Sequence, residues 1–93
     1  MSSEQRGARF VDENKAERGW ASKVVRRERA LGSLVILDIT TSDRELSSFL
    51  VALDRSPLLV QQTDLEGASY HFAWASGYEN GNTIRVQGVL EDA

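Results

Sequence analysis

Apolar positions recur with two different periods along this chain of 93 residues. In the first third, Ala16, Trp20 and Val24 fall four residues apart, with Ala21, Val25 and Leu31 widening the stripe. That spacing predicts an amphipathic helix over about 12–30. Acidic Asp12, Glu13 and Glu17 would sit in its first turns and Arg26, Arg27 and Arg29 in its last, an order that suits the helix dipole. Gly19 would weaken such a helix and Gly32 would end it. Residues 1–9 are polar and aperiodic and are expected to form a flexible tail, with 10–93 as one α+β domain.

Leu34–Ile39 is nearly all apolar, the mark of a strand covered on both faces. Val35, Leu37 and Ile39 share one side. Leu34 and Ile36 share the other, which turns polar at Asp38. Ser42 followed by Glu45 has capping-box spacing, and Leu46, Phe49, Leu50 and Leu53 then give a helical stripe. Ser56-Pro57 ends that pattern, since the residue before proline is pushed out of the α region. Leu58–Leu65 reads as a second strand, apolar first and polar later.

Ser69–Tyr78 and Thr83–Glu91 read as a hairpin joined across Asn80-Gly81, a favoured centre for a type I′ turn. A regular ladder about that turn places Tyr70, Phe72, Trp74, Ser76 and Tyr78 beside Thr83, Arg85, Gln87, Val89 and Glu91 on one face. The other face carries His71, Ala73, Ala75 and Gly77 beside Ile84, Val86, Gly88 and Leu90. Its small residues admit a helix closely, and the Leu46–Leu53 helix is assigned there. The expected fold is therefore an α+β two-layer sandwich in the order α-β-α-β-β-β. It has a mainly antiparallel four-stranded sheet and two helices, with a ferredoxin-like topology among the candidates.

Composition narrows the chemistry. Cysteine is absent, which removes disulfides and thiol chemistry. No apolar run approaches the length of a membrane span, and the first residues lack an apolar signal core, so a cytoplasmic protein with no membrane partner is expected. Net charge is −3, unevenly spread: residues 1–31 carry eight basic against five acidic side chains, residues 32–93 three against nine. The basic stretch could dock on the acidic body or reach for an anionic partner.

His71 is the only histidine and stands apart from any nucleophile motif. No metal-ligand pattern or phosphate loop occurs, so neither metal nor cofactor is expected. Asp38 and Asp43 could pair as carboxylates, but a structural or capping role suits them better. The segment 36–66, with Leu50, Leu53, Ser56 and Pro57, resembles the strand–helix–strand portion of the ferredoxin-like domains in pilus assembly proteins of the PilN type. That resemblance covers a third of the chain and implies an α+β sandwich with a scaffold-like role.

These features point to a non-enzymatic binding or assembly module. Its binding residues would be Tyr70, Phe72, Trp74, Tyr78 and Arg85 on the aromatic face, with Trp20, Arg26 and Arg27 from the basic first third. The partner would be another protein or a second copy in a homodimer, because aromatics dominate interface cores. Two readings compete. The N-terminal helix could cover the aromatic face through Trp20 and Val24, or the face could stack the bases of RNA or single-stranded nucleic acid, with Arg26 and Arg27 on phosphates.

Overall fold

The computed structural model describes residues 7–27, 33–62 and 69–91. They form seven strands and one helix: β1 (Ala8–Asp12), β2 (Glu17–Ala21), β3 (Lys23–Arg26), β4 (Leu34–Thr40), α1 (Arg44–Val51), β5 (Asp54–Gln62), β6 (Ser69–Asn80) and β7 (Thr83–Leu90). All seven strands belong to one antiparallel sheet in the order β2-β1-β5-β6-β7-β4-β3.

The two outermost strands are successive halves of one run, separated by Ser22 alone. Ala21 pairs with Ala8 on β1, while Lys23 pairs with Thr40 on β4. At the junction the Ser22 N–H and hydroxyl both donate to the Thr40 carbonyl, at 2.9 and 3.0 Å. The two ends of the sheet thereby meet in one run and the sheet closes into a barrel, with β2 and β3 each paired to a strand along one side. Inside lie Phe10, Val35, Leu37, Ile39, Leu58, Val60, Phe72 and Val86, all buried.

This architecture overturns the four-stranded, two-helix sandwich, and the ferredoxin-like topology with it. The decisive segment is Asp12–Arg26. Asp12 accepts hydrogen bonds from the Asn14 and Ala16 amides, both at 2.9 Å, and so closes a tight turn instead of capping a helix. Lys15 within that turn has φ 68°. Gly19 has φ 144°, a backbone state closed to a helix and nearly closed to side-chain-bearing residues. A Cβ there would stand 2.5 Å from Asp43 Oδ2 and 3.0 Å from Leu46 Cβ. Gly19 is therefore the landing place of α1 on β2. Of the segment read as a tail, Ala8 and Arg9 lie in β1, and 1–6 fall outside the described residues.

The expected strand at Leu34–Ile39 and helix after Ser42 are present, the helix capped one residue later than its spacing suggests. Asp43 accepts from the Glu45 and Leu46 amides at 3.0 and 3.1 Å. Its own N–H donates to Thr41 Oγ1, and that hydroxyl donates to the Trp20 carbonyl. These bonds tie the start of α1 to β2. Leu46 and Leu50 are fully buried, and α1 packs against β2, β6 and β7. The strand expected over Leu58–Leu65 begins earlier, at Asp54, and Pro57 is tolerated because β5 is irregular around it.

The hairpin turn is Gly81–Asn82, flanked by the pair Asn80↔Thr83, one residue on from the expected centre. Gly81 has φ 67° and Asn82 is not in the positive-φ region, the signature of a type II′ turn rather than type I′. Among the described residues no helix is long and apolar enough to cross a membrane.

Candidate protein-binding face

Strand β6 carries one extra residue relative to β7 between Phe72 and Trp74. A β-bulge of this kind reverses which side the following residues face. Tyr70 and Phe72 consequently point toward the barrel interior, where Phe72 is buried and Tyr70 packs on the core, while Trp74 and Tyr78 point out. The row of four aromatics expected from regular alternation does not exist, because Ala73 splits it. No N-terminal helix covers the outward part, since that segment is β-structure.

On the outer surface of β6, β7 and β4, three rows follow from the register. Trp74, Val89 and Leu34 form one, Ser76, Gln87 and Ile36 the next, Tyr78, Arg85 and Asp38 the third. Arg27 joins from the end of β3, its N–H bonded to the Ile36 carbonyl at 2.7 Å. Of the residues expected to bind, Trp74, Tyr78, Arg85 and Arg27 are thus brought together, while Arg26, paired with the inward-facing Leu37, lies on the other side of β3. Trp20 is elsewhere: it sits on β2 opposite Arg9, whose guanidinium lies 5.9 Å from the ring. Tyr70 is turned inward, with Arg26 5.9 Å from its ring.

Arg55 belongs to this face and carried no sequence signal. Its guanidinium lies 4.0 Å from the centre of the Trp74 ring, a cation–π stack. One register break along β5, between Asp54 and Ser56, contains it and a second follows between Ser56 and Leu58, and its φ is 61°, a left-handed conformation that costs a non-glycine residue of order 1 kcal/mol. Irregularities in two adjacent strands therefore converge on one Arg–Trp pair. Such departures from regular pairing commonly re-aim side chains at binding surfaces.

The electrostatic centre of the face is Asp38. It is 6% exposed although it stands at an outward position in β4. Arg85 grips it through Nε at 2.9 Å and Nη2 at 3.2 Å, and Arg27 through Nε at 2.7 Å. The bonds from Arg85, then those from Arg27, hold the Asp38 carboxyl below its ordinary range against the opposing effect of burial. Asp38 in turn raises the Arg85 pKa, with a smaller contribution from Tyr78.

A carboxyl with a depressed folded pKa contributes stability that is complete above its unfolded value, near 3.8, and lost as pH falls through the folded value. Asp38→Asn should cost about 1–3 kcal/mol at pH 7, the range for hydrogen bonds to a charged buried group. Urea midpoints of wild type and variant should converge below about pH 4. A gap that stays constant from pH 7 to pH 2 would sink this role for Asp38. Asp12, also lowered, chiefly by the Ala16 amide, is common to both proteins and cancels in the comparison.

A surface groove of about 460 Å³ opens between Arg26, Arg27, Ile36 and Arg85. His71, by contrast, is exposed on the outer side of β6 beside Glu91, 3.8 Å away. No cluster of three or more His, Asp or Glu side chains among the described residues is placed to hold a metal ion. Comparison with protein-family models, with curated proteins and with solved structures found no match to this chain.

Proposed function

We propose that the chain is a non-enzymatic protein-recognition module whose partner docks on the outer surface of β4, β6 and β7. The observation that carries this reading is the company Trp74 keeps. The closed barrel already holds its core inside, so outward positions owe nothing to that core. Yet Leu34, Ile36, Trp74, Tyr78 and Val89 occupy them beside Arg27, Arg55 and Arg85. Tryptophan, tyrosine and arginine are the residue types that dominate binding hot spots.

Two features favour a protein over nucleic acid. One face of the Trp74 ring is occupied by Arg55, which leaves half of the stacking surface a base would need. Asp38 neutralises part of the Arg27 and Arg85 charge, and the chain carries −3 overall, which opposes a phosphate backbone. A labelled oligonucleotide should accordingly show no salt-dependent binding.

Selection of a displayed random-peptide library on the immobilised protein tests the reading. Selected peptides should bind wild type and the Trp20→Phe control equally and lose at least tenfold in affinity on Trp74→Ala or Arg55→Ala. Peptides that bind all four proteins alike would overturn it.

A further inference from the structure

Resting on that reading, the geometry points to the chemistry of the partner: an acidic protein segment whose carboxylate seats in the groove between Arg26, Arg27 and Arg85. A charged residue at the Asp38 position is not what stability alone would select. Buried ion pairs are weak contributors, and apolar replacements of similar volume often stabilise. What Asp38 does is fix two guanidinium groups side by side on the rigid ladder of β3, β4 and β7.

A guanidinium has five N–H donors. Asp38 takes Nε of Arg27 and Nε with one Nη2 donor of Arg85. Among the described residues no hydrogen bond engages the Nη groups of Arg27, whose side chain is 55% exposed. Arg26 also lines the groove and is exposed. Its guanidinium lies over the Tyr70 ring on the other side of β3, so two cations flank Asp38, and Ile36 forms part of the lining. A second carboxylate would meet donors already held in place, so little side-chain entropy remains to be lost on binding. Arg55 extends the positive charge to the Trp74 side of the face. A second copy docking through a two-fold axis would set this arginine-rich patch against itself, which like-charge repulsion disfavours.

Titration of ¹⁵N-labelled protein with a capped hexaglutamate peptide tests the assignment. Saturable shifts should appear at the Arg27 and Arg85 Nε–H signals and at amides of β3, β4 and β7. Affinity should fall at least tenfold in Arg27→Lys, a variant that keeps a cation beside Asp38 but removes the free Nη donors, and the thermal midpoint should move by no more than a few degrees. Shifts that are absent, or scattered over the barrel, would overturn the inference, as would equal shifts with hexalysine or with inorganic phosphate. Displayed peptides that depend on Trp74 but contain no Asp or Glu, and that ignore Arg27→Lys, would remove the acidic partner while leaving the protein-recognition reading intact. So would a Trp74-dependent dimer in analytical ultracentrifugation.

Discussion

Gly77→Val should leave the protein largely unfolded at room temperature. Gly77 lies on the inward side of β6, where α1 crosses it, and a Cβ there would stand 1.9 Å from the Leu50 carbonyl oxygen and 2.8 Å from its carbon. These are backbone atoms, so no change of rotamer relieves the clash. Either β6 bends away or α1 lifts off the barrel. If the helix lifts, Leu46 and Leu50 lose complete burial, and each such loss is worth about 2–5 kcal/mol. A chain of this size has about 5–14 kcal/mol of stability in total. The expected loss of roughly 4–8 kcal/mol therefore removes most of it. Far-ultraviolet circular dichroism and a urea melt would read this directly. A variant that melts within about 1 kcal/mol of wild type would mean that α1 does not rest on Gly77.

Phe10→Ala should cost about 3–5 kcal/mol. Phe10 is fully buried at the centre of β1, paired with Gly19 on one side and Val60 on the other. It is among the largest side chains in the barrel, and no neighbour can collapse fully into the space it leaves. The number separates the barrel from any arrangement in which the N-terminal segment is loosely attached. In the latter case the substitution would shift the urea midpoint by no more than a surface change does, about 0.5 kcal/mol.

Much of the second half of the fold was legible in the sequence. Val35, Leu37 and Ile39 alternate into the core as their spacing implies, and Leu46 and Leu50 are the buried side of α1. The small residues of the hairpin do admit the helix, at Gly77 in particular. The first third misleads for a geometric reason. Ala16, Trp20 and Val24 are spaced by four as on one side of a helix, yet Ala16 lies in the turn, Trp20 faces outward beside Arg9, and Val24 faces inward beside Ile39 past the break at Ser22. Gly19 decides against the helix, because its positive φ and its contact with α1 serve only the β-structure. Nothing in the local sequence reveals that contact, which forms across more than twenty residues of chain.

The aromatic face shows a different limit. Counting alternate residues assumes an unbroken ladder, and one extra residue at Ala73 sends Phe72 and Trp74 to opposite sides. Gly81-Asn82 and Asn80-Gly81 are both acceptable hairpin centres, so the turn alone could not fix the register. Arg55 was invisible for a related reason. Its place over Trp74 depends on a left-handed backbone and two register breaks, none of which an arginine signals. Asp38 gave a fainter sign, as an acid on the outward side of an otherwise apolar strand. Its two arginine partners come from β7 and from the end of β3, and only the barrel order brings them together.

Every functional claim made for this chain depends on which way Phe72 and Trp74 face. Side-chain nuclear Overhauser effects measured in one sample decide that most directly. The Phe72 ring should show contacts to Leu58 and Leu90, its inward cross-strand partners, and the Trp74 indole should show contacts to Val89 and the Arg55 side chain. Contacts from both rings to one shared set of neighbours, such as Gln87 and Val89, would contradict the account, because the aromatic row would then be unbroken and the bulge at Ala73 absent.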